Sequence, residues 1–450
     1  MQNKNRRAFI MASFTSHYES LSCKIETRKA IVGVVGLGYV GLPLCHCFSE
    51  AGFQTMGYDV VPSKIDGLSR GEINIDSLKE KVKSLHSSGS FTPTCDMSRL
   101  AESDIIMICV PTPVREHMEP DLSYIISSAE NIRKTLRPGQ LIILESTTYP
   151  GTTRKEVRSI LDKANLVLGI DYFLAYSPER EDPGNLKFDT AIIPKLVGGV
   201  DEKSGNLAES IYKSGFAGVH RVSSCCIAES AKLMENIYRA VNIALVNELK
   251  MVFHRMDIDI WEVLDAAATK PFGFQRFNPG PGWGGHCIPV DPFYLTWKAK
   301  EYGMHSHFIE RAGEINTKMP EFVVSNVQSA LNDKRKPLNG SKVILLGIAY
   351  KSDVDDCRET PSFRVWEMLM QKGAIVSYHD PHVDVIPQTR EFPQFSGVKS
   401  TMLTKENLCD IDCVIVLTNH KKTDLSFQKW FTGIIIDTRG TLVGDNVIRS

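Results

Sequence analysis

Residues 30–59 carry the pattern that most limits how this chain can fold. An apolar run over residues 30–35 is followed at once by GxGxxG at 36–41, a helix-like segment over 42–50 and a second strand-like run that ends at Asp59. Parallel neighbouring strands need a crossover connection, which is usually an α-helix such as the segment between these two runs. The pattern therefore predicts a βαβ unit at the start of the fold.

The glycine turn of this unit predicts a ligand. Gly36 and Gly38 would let a pyrophosphate approach the backbone, where the following helix offers free N–H groups and the positive end of its dipole. The Asp59 carboxylate can accept hydrogen bonds from the ribose hydroxyls of an adenosine and would repel a 2′-phosphate. These features indicate a dinucleotide site that takes NAD rather than NADP. The alternative is a glycine-rich turn that binds nothing.

Further strand-like runs alternate with helix-like segments along the chain. They lie at 104–113, 140–153, 171–182 and 191–200, and a second series starts at 342 after a linker-like stretch over 334–341. This alternation predicts the α/β class, with two Rossmann-like, doubly wound domains and a long helix over about 223–255 between them. Ligands of such sheets bind at the carboxyl ends of the strands, where Thr112, Thr147 and Glu179 are expected.

Composition excludes several classes of protein. The chain has 450 residues, which is too long for one hydrophobic core. Its net charge of −1, from 52 basic and 53 acidic residues, does not suggest a nucleic-acid surface. No window approaches about 18 continuous apolar residues, so no membrane span is predicted. The N-terminus resembles a twin-arginine export signal, but its apolar part is short and it has no cleavage-type site of small residues. Residues 1 to about 28 are therefore interpreted as a disordered extension.

Eleven cysteines are scattered without metal-type spacing, so no metal site is predicted. All but one are interpreted as buried, reduced thiols of a cytoplasmic protein. The exception is Cys287, which stands in GPGWGGHCIPVDP over 280–292, four residues before Asp291. Such glycines let a ligand approach the backbone, and an accessible thiolate beside a nicotinamide can attack an aldehyde. The alternative is a structural cysteine in a glycine loop.

The long helical segment carries Lys232 and Asn236, which are four residues apart and therefore share one face. A cation and an amide donor on one face suit an oxygen that gains negative charge during oxidation of an alcohol. The alternative is a solvated lysine–asparagine pair.

Seven segments resemble the UDP-glucose/GDP-mannose 6-dehydrogenase family, whose members are NAD-dependent four-electron oxidoreductases of nucleotide sugars. They are GLGYVGLPL (36–44), VPTP (110–113), ESTTYPGTT (145–153), SPEREDPG (177–184), AKLMENIYRAVNIALVNE (231–248), GWGGHCIPVDP (282–292) and GIAYKSDVDDCRETPS (347–362). The resemblance covers residues 30–440. It implies an NAD-binding domain over 29–222, a central helical and dimerisation domain over 223–333 and a UDP-sugar-binding domain over 334–450, with a homodimer formed through the central helix.

The resemblance also implies catalytic roles. Cys287 resembles the nucleophile that forms a thiohemiacetal and then a thioester at the sugar C6. Lys232 resembles the lysine that stabilises the developing alkoxide, and Asn236 resembles its partner in orienting that oxygen. Thr147 and Glu179 resemble the pair that holds the catalytic water.

The remaining roles concern the ligands. Asp291 resembles an acid near the thiol that acts in hydrolysis or positions water, and Lys351 resembles a lysine that reaches the substrate. Arg358 resembles an arginine directed at the cofactor phosphates, and Lys64 a basic group near the adenosine ribose. The cofactor-binding residues so predicted are Gly36, Gly38, Tyr39, Val40, Gly41, Asp59, Lys64, Thr112, Thr147 and Arg358. The substrate-binding residues so predicted are Glu179, Lys232, Asn236, Gly284 and Lys351.

The choice among candidate substrates is narrowed only by the resemblance to the family. SPEREDPG and GWGGHCIPVDP differ from the NPEFLxEG and GFGGSCFPKD patterns of the UDP-glucose branch and resemble the branch that oxidises UDP-N-acetylhexosamines for surface polysaccharides, nearest to the UDP-N-acetylglucosamine enzymes. UDP-N-acetylmannosamine and UDP-glucose stay as alternatives. A two-electron hydroxyacid dehydrogenase and a non-catalytic NAD-binding scaffold are more distant ones. No role is assigned to Arg276 or His286.

Overall fold

The computed structural model describes residues 16–115, 118–180, 192–285, 287–389 and 391–450. The chain divides into two compact units, Met1–Met234 and Glu235–Ser450. The boundary falls within one long helix, Cys225–Arg255, close to the predicted range of 223–255. The predicted domain boundaries at 222 and 333 stay a prediction.

The N-terminal unit is built on a sheet that has eight strands in its described part. These are β1 (Ile31–Val35), β2 (Gln54–Tyr58), β3 (Phe91–Thr94), β4 (Ile105–Ile108), β5 (Gln140–Leu144), β6 (Tyr172–Tyr176), β7 (Lys195–Gly199) and β8 (Val219–Arg221). The helices of this unit are α1 (His17–Glu26), α2 (Gly41–Glu50), α3 (Pro62–Ser69), α4 (Lys79–Ser88), α5 (Ser123–Thr135), α6 (Arg158–Leu161) and α7 (Glu202–Lys213), and α8 is the long helix Cys225–Arg255.

The strand order is β3-β2-β1-β4-β5-β6-β7-β8. The chain order reverses between β1 and β4, which pair in parallel with Val32 beside Ile105. The carboxyl ends of strands on either side of such a reversal leave a crevice for a ligand. Strand β7 is antiparallel to β6, whereas the other pairs of named strands in this sheet are parallel. The predicted Rossmann-like, mostly parallel sheet is confirmed.

Helix α1 corrects the predicted disordered extension, which was wrong for residues 17–26. Ser16 and Glu19 form a capping box: the Ser16 hydroxyl accepts from the Glu19 N–H at 3.2 Å, and the Glu19 carboxylate accepts from the Ser16 N–H at 3.0 Å. Leu21 and Ile25, one turn apart, are buried in the core that covers the sheet. Apolar packing and a satisfied N-terminus together account for an ordered helix here. Residues 1–15 lie outside the described chain.

The C-terminal unit has a second parallel sheet in the order β10-β9-β11-β12-β13. Its strands are β9 (Lys342–Leu346), β10 (Ile375–His379), β11 (Cys413–Val416), β12 (Ile434–Asp437) and β13 (Val447–Arg449). Its further helices are α9 (Ile260–Ala268), α10 (Asp291–Lys300), α11 (His307–Asp333), α12 (Pro361–Gln371) and α13 (Lys405–Leu408). The order reverses between β9 and β11, so the second doubly wound sheet predicted from the sequence is also confirmed.

Among the described residues, no helix combines the length and the apolar character that crossing a bilayer requires.

Candidate active site

The glycine turn follows β1 and has the space that a bound pyrophosphate requires. Gly36 adopts φ +96°, and a Cβ there would lie 2.6 Å from the carbonyl oxygen of Cys109. A Cβ on Gly41 would lie 1.9 Å from the carbonyl oxygen of Gly36, so this glycine is required for the start of α2 to pack closely on the glycine turn. A Cβ on Gly38 would meet no atom within 4 Å. The open space at Gly38, three residues before α2 begins, fits the phosphates of a dinucleotide.

Asp59 lies at the end of β2 and is held by three donors. Its Oδ2 accepts from the Leu37 N–H of the glycine turn at 3.0 Å and from Lys64 Nζ at 2.6 Å. Its Oδ1 accepts from the Val61 N–H at 3.1 Å. These contacts orient the carboxylate beside the turn, so that a ribose placed there would find a fixed acceptor.

Replacing Asp59 with asparagine is expected to weaken the preference for NAD over NADP. The variant keeps the shape of the side chain, removes the charge that repels a 2′-phosphate and leaves the Lys64 ammonium available to attract it. We expect kcat/KM for NADP relative to NAD to rise roughly tenfold or more, since like-charge contacts cost several kcal/mol. Adding Lys64→Ala is the control and should reverse the gain. An unchanged ratio in Asp59→Asn would exclude Asp59 from cofactor selection.

The other predicted cofactor residues of the N-terminal unit lie on the same edge of the sheet. Tyr39 and Val40 directly precede α2, and Thr112 is buried in the segment after β4. After β5, the Ser146 hydroxyl donates to the carbonyls of Ile108 and Val110 at 3.2 and 2.8 Å. This bond joins the two strand ends, so that Thr147, which is half-buried, stands next to the segment that holds Thr112.

Glu179 follows β6 at this edge and makes an ion pair that the sequence did not reveal. Its Oε2 lies 3.3 Å from Lys195 Nζ, and Lys195 also pairs with Glu145 at 2.8 Å. Residues 181–191, which include the end of the SPEREDPG segment, lie outside the described chain.

Helix α8 is fixed to the segment after β5 by a buried carboxylate. Glu229 Oε2 accepts from the Gly151 N–H at 2.6 Å, and its Oε1 accepts from the N–H and the hydroxyl of Thr153 at 2.9 and 2.7 Å. Lys232, less than one turn further along α8, is buried. Sequence reasoning missed Glu229, although its position three residues before Lys232 on the same predicted helix was a usable signal.

The cysteine loop of the C-terminal unit is held at both ends by α8. Asn247 Oδ1 accepts from the Gly280 N–H at 2.9 Å, and Lys250 Nζ donates to the Gly280 carbonyl at 3.1 Å. At the other end, Asn236 Nδ2 donates to Asp291 Oδ2 at 2.6 Å. Burial lowers the pKa of Lys250 to about 7. The structure thus brings the predicted residues Asn236 and Asp291 together, whereas Asn247 and Lys250 were not predicted.

Cys287 is exposed within this loop. Its carbonyl oxygen accepts from the N–H groups of Val290 and Asp291 at 3.1 and 2.8 Å, which begins the turn into α10. By contrast, burial raises the pKa of the thiols of Cys45, Cys109, Cys225, Cys357 and Cys413. Buried thiols are inert, and only an accessible one can act as a nucleophile. Cys287 meets this condition. Cys23, Cys95 and Cys409 are also exposed, so the interpretation of all other cysteines as buried is wrong for these three.

The glycines before Cys287 allow a neighbouring segment of the protein to approach closely. A Cβ on Gly284 would lie 2.8 Å from Tyr350 Cβ, and a Cβ on Gly285 would lie 2.8 Å from the Tyr350 ring. The Gly285 N–H donates to the Arg358 carbonyl at 3.1 Å. The segment after β9 therefore packs against the cysteine loop. The half-buried Lys351 directly follows Tyr350 in this segment.

Arg358 and Arg276 both form ion pairs. The Arg358 guanidinium donates to Asp356 Oδ2 at 2.7 Å, so its predicted contact with cofactor phosphates would require this pair to open or to be shared. Arg276 is paired with Asp265 and donates to Asn278 at 2.9 Å. His286 lies outside the described residues.

Family models match nearly all of the chain that carries these features. The models are those of the UDP-glucose/GDP-mannose dehydrogenase family: its NAD binding domain over residues 30–215, its central domain over 227–318 and its UDP binding domain over 344–444. The chain belongs to this family. The expected NAD cofactor and the family resemblance inferred from the sequence are therefore confirmed.

Individual relatives agree with this assignment. Protein CapL of Staphylococcus aureus is 36% identical and covers 92% of this chain and 97% of its own. A UDP-N-acetyl-D-glucosamine 6-dehydrogenase of Pseudomonas aeruginosa is 37% identical over 80% of this chain and 85% of its own. A solved structure of a UDP-D-ManNAc dehydrogenase from Pyrococcus horikoshii aligns with a TM-score of 0.82 at 31% identity, over 92% of this chain and 96% of that one.

Proposed function

We propose that this chain oxidises the C6 hydroxyl of a UDP-N-acetylhexosamine to the carboxylate, in two hydride transfers to NAD. The observation that carries the proposal is the exposed Cys287 in a loop whose far end is bonded to Asn236, on the helix that also carries Lys232. A two-electron dehydrogenase would have no need for an accessible thiol in such a loop. UDP-N-acetylglucosamine is the proposed sugar, supported by the matched branch segments and by the Pseudomonas aeruginosa relative.

The first oxidation takes a hydride from C6 while the hydroxyl proton leaves. Bound NAD accepts the hydrides at its nicotinamide ring. Negative charge grows on the C6 oxygen, and Lys232 and Asn236 would stabilise it as a cation and an amide donor on one helix face. Cys287 then adds to the aldehyde carbon, and the thiohemiacetal can lose a second hydride from the same carbon to give a thioester.

The thioester is released by water. In this proposal Thr147 and Glu179 hold that water as a hydrogen-bonding pair, and Asp291 lies near the thiol. The Asn236–Asp291 bond of 2.6 Å gives Asp291, only 2% exposed, a defined orientation. Lys351 and Gly284 stay proposed contacts for the substrate, and Arg358 a proposed contact for the cofactor.

A homodimer through α8 is also part of the proposal. Several large apolar side chains along α8 are exposed in the single chain, at spacings of seven and four residues: Ile227, Met234, Tyr238, Leu245 and Val252. A stripe with this spacing is typical of a helix that packs against another helix. A cytoplasmic location is proposed from the need for NAD and from reduced thiols.

The test offers five sugars side by side: UDP-N-acetylglucosamine, UDP-N-acetylmannosamine, UDP-glucose, UDP-galactose and GDP-mannose. We expect the highest kcat/KM with UDP-N-acetylglucosamine, two NADH per sugar and a product whose mass corresponds to the uronic acid. The Pyrococcus horikoshii structure favours the mannosamine epimer as the second candidate. One NADH per sugar, with an aldehyde as the end product, would overturn the four-electron proposal.

A further inference from the structure

Glu179 belongs to an ion cluster whose other two members, Lys195 and Glu145, are buried and have no role in the proposed function. Lys195 Nζ lies 2.8 Å from Glu145 Oε2 and 3.3 Å from Glu179 Oε2. The side chain of Lys195 is 3% exposed and that of Glu145 is fully buried, whereas that of Glu179 is 15% exposed. The cluster therefore has an inner carboxylate that is closed to water and an outer one that water can reach.

The sheet topology explains why a lysine is found here. Strand β7 is antiparallel to β6, with Tyr176 opposite Gly198 and Ala175 opposite Gly199. Continuing that register brings residue 195 opposite residue 179. Lys195 begins β7, and the start of an antiparallel strand lies at the edge where its parallel neighbours end. The Lys195 ammonium therefore lies at the ligand-binding edge of the sheet.

Several titratable or charged groups surround Lys195. The Tyr212 hydroxyl of α7 donates to the second oxygen of Glu145, and the Tyr212 and Phe216 rings lie 5.4 and 5.5 Å from Lys195 Nζ. Arg180 Nη1 donates to the Pro194 carbonyl at 2.9 Å, and the Arg180 N–H donates to Glu179 Oε1 at 2.7 Å. Among the described residues, the titratable or charged groups in or next to the cluster are Cys109, Glu145, Glu179, Arg180 and Tyr212.

Lys195 stays protonated in this environment. Burial alone would lower its pKa, but the charges of Glu145 and Glu179 outweigh burial and hold the pKa of Lys195 above its ordinary value. Burial raises the pKa of Glu145, and the Lys195 ammonium opposes that effect. One ammonium shared by two carboxylates leaves the cluster with a net negative charge, and Glu179 is the carboxylate of the pair that water can reach.

We propose that Lys195 is a positioning residue for Glu179: it holds the Glu179 carboxylate ionised and aimed at the hydrolytic water, and Glu145 holds Lys195 in place. This inference rests on the proposed function, in which Glu179 and Thr147 hold that water. In the step concerned, the water oxygen bonds to the thioester carbonyl carbon and one water proton passes to Glu179. The C–S bond then breaks, and Cys287 leaves as the thiolate.

The decisive experiment compares the pH dependence of kcat in two variants, with UDP-N-acetylglucosamine and NAD. Lys195→Met removes the cation beside Glu179, so the carboxylate takes up a proton at higher pH, and the acidic limb of the profile should move up by about one pH unit or more. Glu145→Gln removes the competing carboxylate and leaves the ammonium to Glu179, so the same limb should move down. Opposite shifts are not expected from a purely structural role.

The step that slows should be hydrolysis. For Lys195→Met we expect kcat to fall about 100-fold, as is typical when one electrostatic group is removed. NADH should then form in a burst of two per active site, because both hydrides leave before hydrolysis, and the mass of the intact protein should show the acyl-enzyme. Lys195→Arg keeps the charge and should recover most of the rate.

Three outcomes would overturn the inference: unmoved acidic limbs in both variants, shifts in the same direction, or equal slowing of the burst and the steady state. If Lys195→Met does not fold, the downward shift in Glu145→Gln and the rate of Lys195→Arg still decide the matter. Failure of the proposed function would look different, because the unmodified protein itself would then not yield two NADH per sugar.

Discussion

Replacing Cys287 with serine is expected to abolish formation of the carboxylate while NAD binding is retained. Serine keeps the size of the side chain, but its hydroxyl is a far weaker nucleophile than a thiolate at neutral pH. Loss of a catalytic nucleophile typically lowers kcat by roughly 1000-fold or more. The measurements are NADH per sugar, product mass and NAD affinity by titration, and NADH should not exceed one per sugar in the variant.

Cys409→Ser is the matched control. Cys409 is also exposed and lies in the same unit, but it directly follows α13 and is far in sequence from the glycine loop. Its replacement should leave turnover unchanged. If Cys287→Ser formed the acid at the rate of the unmodified protein, covalent trapping of the aldehyde would be excluded.

The fold could be predicted because its signals are local. The order of strand, glycine turn, helix, strand and aspartate over residues 30–59 specifies one parallel crossover, and the structure places Asp59 in contact with the N–H of Leu37 in that turn. The long helix could also be predicted, because its apolar residues follow a 3.6-residue period that no Pro or Gly interrupts. Helix α1 is not predicted although its capping box of Ser16 and Glu19 is present in the sequence, because its two buried positions, Leu21 and Ile25, are too few to give a clear apolar period.

The site could be predicted only in part because some of its contacts have no sequence signal. Lys195 is 16 residues from Glu179 and 50 from Glu145, and it reaches both only because β7 reverses direction. That reversal follows from packing of the whole sheet rather than from any local pattern. The choice among UDP-sugars is also not readable, since no residue type reports the configuration at C2 of the sugar.

Replacing Lys232 with methionine is expected to stop the reaction earlier, at the first hydride transfer. Lys232 is buried on α8, less than one turn after Glu229, whose three bonds fix the helix to Gly151 and Thr153. Methionine has an unbranched side chain of similar size but lacks the charge that would stabilise the C6 alkoxide. Removing one such group typically costs about 100- to 1000-fold in kcat. A stopped-flow trace should show the NADH burst lost, and C6-deuterated sugar should reveal a full isotope effect.

Lys232→Arg separates charge from packing, since guanidinium keeps the cation but spreads it over a larger, planar group. It should recover part of the burst, whereas a uniform loss in both variants with a lowered melting temperature would indicate a structural role only. The two variants also order the chemistry. Lys232→Met should yield neither aldehyde nor acyl-enzyme, while Cys287→Ser should still permit one hydride to leave. A normal first burst in Lys232→Met would show that another group stabilises the alkoxide. Asn236 is the next residue on that helix face to test.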